Sequence, residues 1–406
     1  MNYPKTILLS RINAGLSKKN MTKKGKKVYF PNLDGLRFIA ALLVIIHHIE
    51  LSKGEMGLAN VFGDGIDANY QIGTLESFVH VIGKLGVVLF FSLSGFLITY
   101  LLMIEKERTS TIAVGKFYLR RVMRIWPLYF LVVIFSLFVA PHIGFLSIPE
   151  YDIATVQAHL WIKAFLFLFF LPNLLMVGLG IIPFAGQTWS IGTEEQFYLM
   201  WPWIMKKAKN KMAVLLMIIT IYLIVSGLLN ANLSEGYIYQ LARRFWGVFN
   251  IDIMAIGGVA SVLVYEKRDI LKLLFTKTTQ YVNLALIILL IGLGVHFPIL
   301  HFEIYGVLFT ILIMNLASNP KSILNLENKT LKYAGKISYG LYMYHSLVIL
   351  IVLKTLQKMD MYHDYLLYPL SVIISVLFAT LSYEFFEKQF LKLKKKFVIV
   401  DSGAKV

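Results

Sequence analysis

The sequence predicts an all-α polytopic membrane protein with about ten transmembrane helices, one further re-entrant or buried segment, and both termini in the cytoplasm. Of its 406 residues, 57% are hydrophobic and only 16% are charged, whereas soluble domains carry about 25% charged residues. Apolar runs of about 20 residues, the length of a helix that crosses a bilayer, recur along the chain. Lysines and arginines cluster in the tails and in short loops between these runs, as in cytoplasmic loops.

Composition also excludes several functions. The net charge of +17 comes from lysines and arginines in the tails and loops, as is typical of a membrane protein. No nucleic-acid partner is therefore predicted, and the chain is expected to be surrounded by membrane lipid. The chain has no cysteine, which excludes disulfides, cysteine metal sites and a thiol nucleophile. No spacing of histidines and carboxylates resembles a metal site, so none is predicted. The sequence leaves the oligomeric state open.

Charge divides the chain into three parts. Residues 1–28 predict a basic cytoplasmic arm, since they hold many lysines and lack the long apolar core of a cleavable signal. A membrane domain is expected at 29–392 and a basic cytoplasmic tail at 393–406. The first span, 33–51, runs from the basic arm to an acidic loop at 52–78 and therefore crosses from inside to outside. The later spans are expected at 79–103, 122–142, 189–205, 211–230, 246–265, 279–295, 299–317, 337–353 and 366–389.

The segment 158–178 does not fit the alternation of sides. It is apolar, but Lys163 lies near its start and Pro172-Asn173 interrupts it. The segment and the span 189–205 cannot both cross while the loops on either side keep their expected positions. We therefore expect 158–178 to enter the membrane and return, or to lie buried between other helices.

The first span carries polar side chains in an apolar helix. It begins with Asp34 and Arg37 and ends with His47 and His48. Arg37 and His48 fall within roughly 20° of each other on one helix face, whereas His47 points elsewhere. Ionisable residues inside a membrane span indicate a functional site. The alternative is that Arg37 and His48 only anchor the helix ends at the two interfaces.

Three further groups carry candidate chemistry. Arg120, Arg121 and Arg124 lie at a cytoplasmic helix entrance, where guanidinium groups could grip the phosphates of a coenzyme A thioester or only set topology. Glu194 and Glu195 enter the span 189–205, where they could orient a histidine, bind a hydroxyl or simply favour the helix start. A polar stripe at three-residue spacing consists of Tyr339, Tyr342 and His345. Its histidine could equally be a core residue.

Two other patterns favour structural roles. The small residues Ser92, Ser94 and Gly95 predict close helix packing rather than a nucleophilic serine. Asp252, inside the span 246–265, is expected to form a structural ion pair with Arg243 or Arg244.

Five motifs, in this order, resemble the integral-membrane acyltransferase 3 family over about residues 29–392. They are Leu33-Asp34-Gly35-Leu36-Arg37 with His48, Phe90-Phe91-Ser92-Leu93-Ser94-Gly95-Phe96-Leu97-Ile98, Arg120-Arg121-x-x-Arg124-Ile125-x-Pro127, Trp189-Ser190-x(3)-Glu194-Glu195-Gln196-Phe197-Tyr198, and Ser338-Tyr339-x-Leu341-Tyr342-x-Tyr344-His345. The resemblance implies a ten-helix domain of the bacterial plasma membrane. It would move an acyl group, usually acetyl, from cytoplasmic acyl-CoA to a hydroxyl, commonly on a cell-surface or exported carbohydrate.

Residue roles follow from the resemblance. His48 would be the acid/base residue together with Arg37, Glu194 and Glu195 would be catalytic carboxylates, and the three arginines would bind acyl-CoA. Candidate substrate-binding side chains are Asp34, Trp189, Tyr198, Tyr342 and His345. Acyl-CoA is a co-substrate, no cofactor is bound permanently, and the acceptor is a carbohydrate or a lipid-linked sugar. The sequence departs from the family at 384–390, where the usual proline is missing, and no esterase-like domain follows, so a separate partner or direct hand-over of product is expected.

The mechanism and two other function classes stay open at this level. Neutral His48, aligned by Arg37, Asp34 or a carboxylate of Glu194 or Glu195, would deprotonate the acceptor hydroxyl, which attacks the thioester. An acyl-histidine intermediate is the variant. A secondary transporter or flippase of a sugar substrate, and a non-catalytic scaffold or sensor, would share the ten spans and the buried charges.

Overall fold

The computed structural model describes residues 28–62, 71–231 and 233–400. These residues form α-helices joined by short turns, and no β-strand occurs among them. The first half contains α1 (Leu33–Glu55), α2 (Leu75–Thr109), α3 (Val114–Ile134), α4 (Ile153–Gln157), α5 (Leu160–Leu168), α6 (Pro172–Leu179), α7 (Thr188–Lys207) and α8 (Lys211–Asn230). The second half contains α9 (Tyr237–Trp246), α10 (Ile251–Glu266), α11 (Leu271–Leu274), α12 (Lys277–Gly292), α13 (His301–Ser318), α14 (Lys329–Lys336), α15 (Ser338–Lys358), α16 (Asp364–Ser382) and α17 (Lys388–Lys394).

Within the described residues, eight helical stretches are long and apolar enough to cross a membrane. They are α1, α2, α8, α13, α15, and the stretches Val114–His142, Tyr237–Glu266 and Asp364–Phe397. The two other expected crossings coincide with α7, which carries two carboxylates and two lysines, and with the shorter apolar α12. The all-α polytopic class is confirmed, and ten crossings remains a prediction.

The core of the molecule is built around α2. This helix packs against α1, α10 and α13, and α15 packs against α1 and α16. Glycines allow the closest approach: a β-carbon at Gly95 would lie 1.9 Å from the carbonyl oxygen of Met254, and one at Gly257 would lie 2.2 Å from that of Ser92. Gly95 of the second motif therefore serves close helix packing, as predicted.

The segment 158–178 is broken, as its sequence predicts. It forms α5 and α6, of nine and eight residues, with a turn between them. Helices of that length rise only about 12–14 Å each, so neither crosses a bilayer. Buried Asn173 donates to Thr193 Oγ1 at 3.2 Å and to Gln196 Oε1 at 3.1 Å, which fixes α6 against α7.

Two stretches that the sequence predicts as loops contain helices. The stretch 231–244 includes most of α9, and 318–336 includes all of α14. Both helices are amphipathic, with polar faces rich in basic residues, so neither appears as an apolar run.

The expected ion pair of Asp252 is wrong. Asp252 is fully buried and lies beside Glu303 of α13, while Arg243 donates to Asn230 instead. The reason is the break between α9 and α10. The arginines end one helix, whereas Asp252 begins the next and turns into the core.

The C-terminal region differs from a simple tail. After α16 the chain makes a π-helical turn at Tyr383–Glu387 and continues as α17 and a short 3-10 turn, Lys395–Phe397, against α3. Because the family's proline is missing, nothing interrupts this helical continuation. The basic arm, except for Val28, and residues 401–406 of the tail lie outside the described residues.

Candidate active site

The N-terminal end of α1 is held by the loop before α14. Glu327 accepts hydrogen bonds from the Asn32 backbone N–H at 2.6 Å and from the Tyr29 hydroxyl, and it pairs with Lys332 at 2.6 Å. Partial burial raises the pKa of Glu327, but these hydrogen bonds outweigh it and hold the pKa below its usual value. The carboxylate therefore stays ionised and fixes the chain where the first motif begins.

Asp34 and Arg37 form an ion pair on this fixed end. Arg37 Nη1 lies 2.6 Å from Asp34 Oδ1, and both side chains are 20% exposed. A β-carbon at Gly335 would lie 2.0 Å from the carbonyl oxygen of Asp34, so α14 lies directly against the motif. Only glycine permits this contact, which sets the position of the pair relative to the neighbouring helices.

Glu194 is the centre of a hydrogen-bonded group between α2 and α7. The hydroxyls of Ser94 and Tyr198 both donate to its Oε1. Arg37 and Arg121 lie close enough to interact with Glu194 electrostatically. The structure thus brings the first, second, third and fourth motifs together around one carboxylate.

The three arginines of the third motif have different surroundings. Arg120 pairs with Glu105 at 3.0 Å and donates to the carbonyl of Phe397, so it holds the C-terminal region. The guanidinium of Arg121 lies over the rings of Phe117 and Tyr198, at 5.6 and 5.4 Å from their centroids. Its Nε is buried without a hydrogen-bond acceptor among the described residues.

Arg124 is exposed and joins a wider cationic group. It lies near Arg37, Arg121 and Lys394 of α17, which interact electrostatically, and the buried carboxyl of Glu387 also faces it. In the part of the chain that the structure describes, Arg124 forms no ion pair. Arg121 and Arg124 can therefore donate hydrogen bonds to a phosphate, whereas the guanidinium of Arg120 is already bonded to Glu105 and Phe397.

Glu195 has a different hydrogen-bond donor from Glu194. Its Oε2 accepts from Trp126 Nε1 at 3.2 Å, and its Oε1 is buried without a donor among the described residues. The two adjacent carboxylates thus have different hydrogen-bond partners, although both interact electrostatically with Arg121.

His48 lies beside His345, with ring centroids 4.7 Å apart. His48 Nδ1 is 2.8 Å from the carbonyl oxygen of Val44, and His345 Nδ1 is 2.6 Å from that of Tyr342. Since a carbonyl can only accept, each Nδ1 carries the proton and each Nε2 keeps its lone pair. The Nε2 of His345 is buried and has no partner among the described residues.

Tyr342 and the start of α7 support the histidines. The Tyr342 hydroxyl lies 2.7 Å from Ser190 Oγ and donates to the carbonyl of Gln187 at 3.0 Å. The Gln187 side chain donates to the carbonyl of Met343 at 2.7 Å, which joins α7 to α15. Trp189 contacts Phe91 edge to face, at 6.3 Å between centroids.

The candidate residues thus form two groups along α1. One contains Asp34, Arg37, Arg121, Arg124, Glu194 and Tyr198, and the other contains His48, Tyr342 and His345. Arg37 and His48 are eleven residues apart on a helix, a rise of about 16 Å. The expected alignment of His48 by Arg37, Asp34 or a glutamate does not occur in the described structure. Instead, His48 Nδ1 contacts the carbonyl of Val44, and the His345 ring packs against the His48 ring.

Several site residues were not identified from the sequence. Ser94 was assigned to packing, and Trp126, Gln187 and Lys394 were not considered. Ser94 directly precedes the packing glycine Gly95, and successive residues of a helix point in directions about 100° apart. Helix geometry therefore indicates that Ser94 faces away from the contact made by Gly95.

Comparison with known proteins identifies the family of the chain. The family described as "Acyltransferase domain", acyltransferase 3, matches residues 30–384. The chain belongs to the acyltransferase 3 family. No solved structure matches it significantly.

Curated relatives of this family member are O-acetyltransferases by name. The peptidoglycan O-acetyltransferase OatA of Listeria monocytogenes is 24% identical over 84% of this chain and 52% of its own length. The O-acetyltransferase OatA of Staphylococcus aureus (strain NCTC 8325) is 25% identical over 91% of this chain and 58% of its own. A putative O-acetyltransferase of Staphylococcus aureus (strain COL) is 26% identical over 92% and 59%. The chain spans little more than half the length of these relatives.

Proposed function

We propose that this chain is a membrane O-acetyltransferase that moves acetyl from cytoplasmic acyl-CoA to a hydroxyl of a cell-wall carbohydrate. The relatives' names supply the acetyl group and the acceptor class. The observation that carries the proposal is the Arg121 guanidinium, held between two rings next to Glu194 with its Nε unpartnered in the described structure. A buried, unsatisfied cationic donor favours a phosphate-bearing ligand.

The donor binds at the arginine end. Arg121 and Arg124 would contact phosphate oxygens of the CoA, and Glu194 would hold Arg37 and Arg121 in place through its charge. The pantetheine arm would then extend along α1 and present the thioester to His48. An extended arm can cover the rise of about 16 Å between Arg37 and His48.

His48 acts as the general base. Its Nδ1 donates to the Val44 carbonyl, so Nε2 is free to take the proton of the acceptor hydroxyl. The hydroxyl oxygen attacks the thioester carbon, the carbon–sulfur bond breaks, and CoA leaves as the thiolate. The proton held by His48 then passes to the thiolate, so the step is balanced without another reactant. His345, beside His48, would orient the ring.

The test is acetyl transfer by the full chain reconstituted in proteoliposomes. Acetyl-CoA is supplied on one side and a cell-wall glycan fragment on the other, and product is measured by mass spectrometry. His48→Gln should reduce the rate by about a hundredfold or more, while His142→Gln, an exposed histidine, should not change it. Full activity of His48→Gln would overturn the mechanism, and movement of the glycan without acetyl-CoA would indicate a transporter instead.

A further inference from the structure

The C-terminal region brings a lysine to the arginine group of the active site. Lys394 is the last residue of α17, which packs against α3, and its side chain is half-buried. The charged groups that act most strongly on Lys394 are the guanidinium groups of Arg124, Arg121, Arg120 and Arg37. The region that matches the family ends at residue 384, ten residues before this lysine. No candidate role from the sequence includes it.

A buried ion pair anchors the segment that carries Lys394. Arg120 Nη1 donates to the carbonyl of Phe397 at 3.0 Å, and Arg120 Nη2 pairs with Glu105 Oε2 at 3.0 Å. Glu105 is itself buried, and its Oε1 accepts from the backbone N–H of Ala113 at 2.8 Å. Since Phe397 follows Lys394 by three residues, about one turn of a 3-10 helix, this anchor holds Lys394 beside the arginines of α3.

Lys394 adds positive charge where four guanidinium groups already lie. The carboxylates described in this region act on those arginines, and they are Asp34, Glu105, Glu194 and Glu387. A further cation beside the arginines adds repulsion, and an anionic ligand that contacts the lysine and the arginines together offsets it. Coenzyme A offers such charges, because it carries a diphosphate and a 3′-phosphate.

Membrane topology alone does not account for the direction of this side chain. Lys392, Lys395 and Lys396 are exposed, and they supply the positive charge expected of a cytoplasmic tail. Lys394 is less exposed than these neighbours and lies toward the guanidinium groups instead. Its position therefore favours a contact with a ligand of the arginine group.

We propose that Lys394 is a further donor-binding residue, whose ammonium group contacts a phosphate of acyl-CoA beside Arg121 and Arg124. The proposal rests on the proposed function, since it adds a residue to the donor site of that reaction. Arg121 supplies a planar contact in a fixed orientation, whereas Lys394 supplies a point charge on a flexible stem. The C-terminal segment 388–400 thus forms one wall of the donor site.

Donors with different numbers of phosphates separate a phosphate contact from a structural role. The full chain in nanodiscs of zwitterionic lipid is titrated with CoA and with dephospho-CoA, which lacks the 3′-phosphate. Binding is followed by calorimetry without an acceptor. In proteoliposomes, kcat/KM for acetyl transfer is measured with acetyl-CoA and with acetylpantetheine, which carries no phosphate.

Lys394→Gln should weaken CoA binding and lower kcat/KM for acetyl-CoA by about tenfold, the size expected for a hydrogen bond between charged groups. The value for acetylpantetheine should stay within about twofold, because this donor has no phosphate contact to lose. Lys394→Arg should retain most of the binding, and Lys392→Gln, an exposed lysine of the same helix, should have no effect. Weaker binding of dephospho-CoA by Lys394→Gln would assign the contact to the diphosphate, and unchanged binding would assign it to the 3′-phosphate.

An equal loss with acetyl-CoA and acetylpantetheine, as expected if Lys394 only held the C-terminal segment in place, would overturn the donor contact. Unchanged CoA binding in Lys394→Gln would do the same and leave the proposed function intact. Binding of CoA that depends on Lys394 without any acetyl transfer would retain the contact and reject the proposed function, whereas a wild-type chain that binds no CoA would reject both.

Discussion

Single side chains would decide how the proposed donor is recognised. Arg121 differs from a surface arginine because two aromatic faces hold its plane and its Nε has no acceptor in the described structure. A planar fork in a fixed orientation can make two parallel hydrogen bonds to a phosphate, whereas an ammonium group cannot. A positive charge alone therefore does not account for the proposed role of Arg121.

Arg121→Lys should raise the KM for acetyl-CoA by about tenfold or more, since lysine keeps the charge but loses the two-point contact and the stacking. The KM for the acceptor should stay within about twofold, because the acceptor binds at the other end of α1. Arg268→Lys, whose side chain pairs with Glu266 in an exposed position, is the matched control. Steady-state kinetics against both substrates measures the effect, and an unchanged KM for acetyl-CoA would remove Arg121 from the donor site.

At the residue scale, the sequence predicts which side chains matter better than it predicts their partners. Four of the five motifs meet around Glu194, next to Tyr198 and Arg121, and the fifth meets His48 at the other end of the first motif. The predicted partner of Asp252 is wrong, and Ser94, for which the sequence predicts only packing, donates to Glu194. Glu303 and Asp252 are 51 residues apart, and periodicity, which describes one helix at a time, contains no information about such contacts.

The contact between α2 and α10 depends on the absence of two β-carbons. Gly95→Ala should place a methyl 1.9 Å from the Met254 carbonyl oxygen, which lies on a rigid helical backbone, so the two helices must separate. We expect a loss of about 1–3 kcal/mol or more in folding free energy, as for overpacked cores. Gly257→Ala should act similarly, and the midpoint of thermal unfolding in detergent measures both.

The same substitution elsewhere provides the control. Gly227 lies in α8 with nothing within 4 Å of its virtual β-carbon. Gly227→Ala should leave stability unchanged or increase it slightly, since alanine favours the helix over glycine. Equal midpoints for Gly95→Ala and Gly227→Ala would show that the α2–α10 contact can relax without cost.

Element by element, apolar length predicted the membrane helices and failed for amphipathic ones. The spans at 33–51 and 211–230 correspond to α1 and α8 within a few residues. The sequence predicts loops where α9 and α14 lie, because polar and basic residues interrupt their apolar faces and a search for apolar runs cannot detect them. The break in the segment 158–178 was predicted correctly because proline and a lysine interrupt an apolar helix at their own positions. This prediction does not require knowing which helices pack against the segment.

At the scale of the whole molecule, the proposed reaction requires a direction. Acyl-CoA is cytoplasmic, so Arg121 and Arg124 must face the cytoplasm, and the acceptor must reach His48 from the other side. The structure separates the arginine group from the histidines along α1. The distribution of lysines predicts the orientation: both termini, and the loop with Lys206, Lys207 and Lys209, are expected inside.

Cysteine labelling tests this orientation with little interference, because the chain contains no cysteine. Glu235→Cys, in the exposed turn before α9, should react with a membrane-impermeant maleimide in intact cells. Lys209→Cys, in the exposed turn between α7 and α8, should react only after permeabilisation. The reverse pattern would place the arginines outside, where no acyl-CoA is available, and would reject the donor site while leaving the family assignment intact.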